Sequence, residues 1–373
     1  MASKTNETAI ELWRQVLSRL STQDNAAIWD PNYDGSADEK RMREAFAHAG
    51  WSDALIEGVV EEQRKSISSA PVTSPGINPG AEAMFETLCN DIEAAMDRLK
   101  LTSHARVARG IEPRLRPYAA KTNVVMTDES IVTVGTHLFR FCGLIARAYT
   151  RTNRLDPYRW GAERYDKKAA SKLLLSSPEL LKYWLMIFIS YAATGTNSAV
   201  PFQPSKKHEL LLFEQVARSM EVFAIAHEYG HHHFDHGRQI GGDPHQEEID
   251  ADKFALRISY EIERRPVIYL NPYLPSGAGG ILLLLALETL RSVEGLFGGA
   301  KVQNSDTHPG VRSRIARFES IAILKLEEFA ALRTFRLACT RIMDLADSEV
   351  LSILKALPPS TLKEIIPVKF GSE

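Results

Sequence analysis

The chain predicts a predominantly α-helical α+β fold. Apolar residues recur at helical spacing through most of its 373 residues, one short pair of β-rich runs interrupts them, and turn-forming residues concentrate in a single stretch. The runs AIELWRQVLSRL and DEKRMREAFAHAGWSDALIEGVV give residues 1–70 as an N-terminal helical region. SSAPVTSPGINPG, residues 68–80, is rich in Pro, Ser and Gly and places a linker at 71–80. Residues 81–118 return to helix. VVMTD and IVTVG then form the strand pair, joined across Asp128, Glu129 and Ser130. Residues 183–193 and 279–298 read as buried core helices, and the extension from 321 to 373 as two or three packing helices. The stretch 81–320 is left as the main domain.

Composition narrows the function classes. With 44% hydrophobic and 25% charged residues the chain is an ordinary globular protein rather than a disordered one. A net charge of −2 without a long basic run argues against nucleic acid as the main partner, and Arg106, Arg109, Arg114 and Arg116 read as a solvated face. No uninterrupted apolar stretch reaches the roughly 20 residues that span a bilayer, since Glu288, Arg291 and Glu294 break the nearest one. The start, MASKTNETAIELW, lacks the apolar core of a signal peptide. Cys89, Cys142 and Cys339 have no paired spacing and read as buried small hydrophobes, so a reducing compartment, the cytoplasm, is expected. Oligomeric state leaves no signature.

The chemistry sits at residues 227–231, His-Glu-Tyr-Gly-His. Apolar residues at Val216, Met220, Phe223, Ala224 and Phe234 put this run on a half-buried helix. Two histidines four apart share one helix face, so His227 and His231 can aim at one metal ion, while Glu228 projects about 100° away and borders the site as a general base. Gly237 and the Gly241-Gly242 pair stop this helix, and a second begins near Pro244 with Glu247, Glu248, Asp250 and Asp252 as carboxylates. Glu248 and Asp252 share a face with Ala251 and Ala255, whose small side chains let that face approach the first helix. Two imidazoles and a carboxylate that leave a fourth position for water are the ligand set of a catalytic zinc site. His232, His233, His236 and His245 read as surface residues or supports of the ligands. A metzincin is excluded because Phe234 and Gly237 stand where its glycine and third histidine would be; no Gly-x-Ser-x-Gly elbow supports a serine hydrolase.

His-Glu-x-x-His followed by Glu-x-x-Ala-Asp, here His227 to His231 and Glu248 to Asp252, resembles the gluzincin metallopeptidases, in particular the branch of HtpX and the CAAX prenyl proteases. NVVMTDESIVTVGTHLFRF, residues 123–141, is similar to that branch's hairpin and edge strand, and DTHPGVRSRIARF, residues 306–318, to its Thr-His-Pro segment with a following Arg-Ile. The resemblance covers roughly residues 120–320. It implies a zincin-like domain whose edge strand borders a two-helix zinc site, with Glu248 as third ligand and Asp252 supporting a ligand histidine. The branch commonly carries transmembrane helices and a shorter segment at about 150–207, so this chain reads as a soluble variant.

The expected activity is therefore zinc-dependent hydrolysis of peptide bonds in a protein substrate, with Glu228 as base. His308 is the candidate for stabilising the developing oxyanion, with Arg312 or Tyr260 as alternatives. Residues 131–135 are the candidate edge strand, with Val132 and Val134 as substrate-binding residues. The competing expectation is a non-catalytic metallopeptidase-like scaffold with a structural zinc. Retention of Glu228 beside all three ligands favours the enzyme.

Overall fold

The computed structural model describes residues 7–20, 36–48, 50–69, 78–101, 107–113, 115–153, 167–197, 200, 207–238, 242–263, 271–298, 310–318 and 326–358. These residues are mostly helical, with one three-stranded sheet. The helices α1 (Glu7–Leu20), α2 (Ser36–His48) and α3 (Asp53–Ser69) precede α4 (Pro79–Arg98), whose N-terminus is capped by Asn78 Oδ1 accepting from the Gly80 amide at 2.8 Å. The sheet comprises β1 (Ala108–Glu112), β2 (Ala119–Asn123) and β3 (Ser130–Gly135), ordered β1-β3-β2; β1 runs parallel to β3, and β2 antiparallel.

The sheet corrects three sequence expectations. The strand preceding the turn is AAKTN, residues 119–123, and the β-branched run from Val124 starts the turn instead, with Val125 and Met126 exposed. The strand IVTVG lies at the centre of the sheet, paired on both sides, so it is β2 that forms the edge beside the cleft described below. Residues 108–112, expected as helix, form a strand. Side chains of β3 alternate: Ile131 packs with Ala9, Trp13 and Ala108 under α1, while Val132 and Val134 enter the main core.

After β3 the chain forms α5 (Thr136–Asn153), α6 (Lys167–Ser176), α7 (Pro178–Thr194) and the long α8 (Lys207–His233), then α9 (Pro244–Glu263), α10 (Tyr273–Ser276), α11 (Ala278–Leu296), α12 (Val311–Phe318) and α13 (Leu326–Ala356). Among the described residues of the 321–373 extension, α13 runs unbroken from Leu326 to Ala356, and Cys339, Ile342, Met343, Ala346 and Val350 join the same core as the central helices. All three cysteines are buried and free.

The centre of this core is α8, packed by α5, α9 and α11. Two glycines permit the closest approaches. A Cβ at Gly230 would lie 2.9 Å from Ala251 Cα on α9, and one at Gly280 would lie 2.5 Å from the Phe223 ring. The expected approach along the Ala251 face is thus achieved through Gly230. Among the described residues no single helix is long and apolar enough to cross a membrane; α6 and α7 reach that length together, but with a bend of 88°, and α7 buries Tyr183, Trp184, Ile187 and Phe188 in the core.

Candidate metal centre

Helix α8 carries His227, Glu228 and His231 to the floor of a cleft of about 690 Å³. Helix α9, brought close at Gly230, adds Glu248. The donor atoms of His227, His231 and Glu248 lie within 4.8 Å of one another. His227 Nε2 is 3.1 Å from His231 Nε2 and 3.4 Å from Glu248 Oε2, and His231 Nε2 is 3.3 Å from Glu248 Oε1. In a tetrahedral ion with bonds of about 2.0–2.1 Å, neighbouring donors stand about 3.3 Å apart. The three residues therefore fit a divalent metal ion.

The other ring nitrogens are held from behind. Asp252 Oδ1 lies 3.1 Å from His227 Nδ1, which puts the ring proton on Nδ1 and turns the Nε2 lone pair toward Glu248 and His231. His231 Nδ1 stands 2.9 Å from His236 Nδ1 and can donate to it. Burial, with His231 alongside, lowers His236 to about 4, so that ring is neutral and able to accept. Burial disfavours a charged ring at His227, yet hydrogen bonds to Asp252 and Glu248 outweigh it and raise the group to about 9. A proton held there is one that a cation would displace.

The carboxylates depend on a residue that sequence reasoning gave no role. Arg314 of α12, 8% exposed, donates from Nε and Nη2 to the two oxygens of Asp252 at 2.8 and 2.7 Å, and its Nη1 lies 3.1 Å from Glu248 Oε2. Burial would raise both acids, but His227, His231 and Arg314 hold Glu248 well below the usual carboxylate range, and Arg314 and His227 do the same for Asp252. Counting Glu228, three carboxylates face one guanidinium, and a divalent cation would offset the remaining formal charge. The only sequence sign of Arg314 was its place in the Arg-Ile of the 306–318 stretch.

The sheet is stitched to the end of α8. Lys121 Nζ donates to the His236 carbonyl at 2.8 Å and Asn123 Nδ2 does so at 3.2 Å, while Arg238 reaches the Thr127 and Glu129 carbonyls. His232 is buried against Ser130 Oγ at 3.0 Å. The turn closes at Gly237, φ +71°, whose amide donates to Glu247 Oε1. Glu247, a rival third ligand by sequence, is thereby engaged in the turn.

Other expected residues stand elsewhere. Val132 and Val134 are fully buried in the central strand, outside the cleft lining, which corrects their assignment as substrate-binding residues; Ala119, Ala120, Lys121 and Asn123 line the cleft instead. His308 lies outside the described residues. Of its alternatives, Arg312 pairs with Asp344 at 2.6 Å and Glu288 at 3.6 Å, and neither Arg312 nor Tyr260 lines the cleft. His245 is exposed on the first turn of α9, and Phe234, expected on the buried face of α8, is 43% exposed. Arg109 is no solvated residue: it pairs with Glu86 at 2.7 Å and with Glu93 at 2.5 Å.

No protein-family model matches the chain, and neither the curated proteins nor the solved structures contain a match.

Removing Arg314 takes the guanidinium from Asp252 and leaves both buried carboxylates to the ligand histidines alone. Arg314→Ala is expected to cost about 3–5 kcal/mol in stability and about 10–100-fold in metal affinity, with Arg314→Lys partly restoring both. Denaturant unfolding and a competitive metal titration measure these; wild-type values in Arg314→Ala would refute the role.

Proposed function

We propose that this chain is a zinc-dependent endopeptidase of the gluzincin kind, acting on an extended segment of a protein substrate. The convergence of the His227, His231 and Glu248 donor atoms beside Glu228, at the floor of an open cleft, carries this reading. Two imidazoles with one carboxylate suit zinc among the divalent ions. Zinc held there would polarise the scissile carbonyl and acidify the attacking water.

The chain's own residues supply the rest. Glu228 is half-buried and lines the cleft one residue from His227, so it borders the reacting atoms without occupying a ligand position. It accepts the proton of the attacking water and returns it to the leaving amine. Asp252 and His236 orient the two ligand rings, and Arg314 fixes Glu248.

The edge strand β2 positions the substrate. The Gly135 amide donates to the Tyr118 carbonyl and the Val124 amide to the Glu129 carbonyl, so the even-numbered residues of β2 bond to β3. Ala119, Lys121 and Asn123 then turn their backbone groups outward, where an extended peptide can pair with them. Three free cysteines, all buried, suit a reducing compartment such as the cytoplasm.

Two outcomes are expected. Glu228→Gln keeps one zinc per chain but cleaves an unfolded protein substrate about 10²–10⁴-fold more slowly, and a chelator abolishes wild-type cleavage until zinc is returned. Cleavage that survives the substitution would overturn the mechanism; stoichiometric zinc with no cleavage by wild type would favour the scaffold. Ala119→Pro removes an outward amide without touching the β3 ladder, and should lower peptide cleavage about tenfold with unchanged zinc content. Unimpaired cleavage in that variant would remove β2 from substrate binding.

A further inference from the structure

One face of α11 forms a wall of the cleft, and its chemistry changes along its length. Near the metal ligands it presents Leu283, Leu284 and Leu287 opposite Phe223 of α8; farther along it presents Leu290 and then Arg291 and Glu294. The first four are buried or half-buried, whereas Arg291 is exposed. From Leu284 to Arg291 the helix rises about 10 Å, the length of about three residues of extended peptide.

At that far end Arg116, from the segment leading into β2, lines the cleft together with Arg291. Both are exposed, both act electrostatically on Glu294, and among the described residues neither has an ion-pair partner. Arg291 also acts on Glu288, which lies outside the cleft lining, so within the lining two guanidiniums stand against the one carboxylate of Glu294 and leave a positive charge facing the cleft. At the metal end the lining charges are Glu228, Glu247, Glu248 and Lys121, with Arg314 paired beneath. The cleft is therefore polarised along its axis, with an apolar wall between its ends.

We infer that the cleft takes an extended peptide that lays an apolar side chain against Leu284, Leu287 and Phe223 and, about three residues farther from the metal site, presents a carboxylate to Arg116 and Arg291. The inference takes its peptide from the peptidase reading and adds which peptide. Guanidinium forks bind carboxylates bidentately, which gives selection as well as attraction. The carboxylate has two sources: an Asp or Glu side chain of an internal segment, or the substrate's own C-terminus. The leucine wall selects by burial of a large aliphatic or aromatic side chain.

The test is fluorescence anisotropy with fluorescein-labelled octapeptides on zinc-loaded, full-length Glu228→Gln protein. The peptides carry Leu and Asp separated by two glycines, in both orders, with Lys for Asp or Ser for Leu as controls, and each ends in a free acid or an amide. Asp peptides should bind about tenfold tighter than Lys peptides, Leu→Ser should weaken binding, and Arg291→Glu should reverse the charge preference. Selectivity kept in amidated peptides identifies the side chain as the carboxylate; selectivity seen only with the free acid identifies the terminus. Acid, amide and Lys peptides that bind within twofold of one another, or an order unchanged by Arg291→Glu, would overturn the inference. Casein hydrolysis by wild type, measured in parallel, separates the two claims. Hydrolysis without charge selectivity refutes this inference alone, and charge-selective binding without hydrolysis refutes only the catalytic reading.

Discussion

The buried contact of Arg314 with Asp252 and Glu248 is the interaction on which the rest of this site depends. Two carboxylates at 3% and 6% exposure cannot stay ionised in an apolar core without a nearby positive charge. Arg314 supplies it at Asp252 and shares that task at Glu248 with His227 and His231; Asp252 is gripped by two hydrogen bonds and is left one side on which to meet His227. The arginine must itself be delivered. Phe318, at the end of α12, packs on Phe223, and Arg336 of α13 donates to its carbonyl at 2.7 Å. The long helix α13 thus contributes to the candidate metal centre by holding the helix that carries Arg314.

A second dependence runs through the sheet. With only three strands it adds little core, but it joins α1 on one face to the main helical core on the other. Lys121 and Asn123 on its edge fix the His236 carbonyl, and His236 stands behind His231. The strand proposed to bind substrate and a ligand of the proposed metal are therefore mechanically one unit. A shift of β2 would be felt at His231 through His236.

What could be read from the sequence divides by the range of the forces involved. The helices bearing His227, His231 and Glu248 were legible because helical period places those residues locally, and Gly237 and Pro244 mark the ends. The sheet was only half legible. AAKTN has weak strand character beside the β-branched VVMTD, and ARGIE is a strand only because it pairs in parallel with β3, a partner more than twenty residues away. Central and edge positions were exchanged for the same reason. Arg314 lies 62 residues from Asp252, among several arginines in one short helix, and only the three-dimensional contact distinguishes it. The Leu-to-Arg change along α11 reads in the sequence as an interrupted core helix, because the cleft that it walls is formed by residues distant along the chain.

His227, His231 and Glu248 are proposed to form one divalent-metal site of nitrogen and oxygen donors. X-ray absorption at the zinc edge, with elemental analysis of the purified chain, addresses it most directly. One zinc per chain is expected, coordinated by two imidazoles and light oxygen donors at about 2.0–2.1 Å with no sulfur. Sulfur in the coordination shell, or no stoichiometric metal after zinc loading, would contradict it.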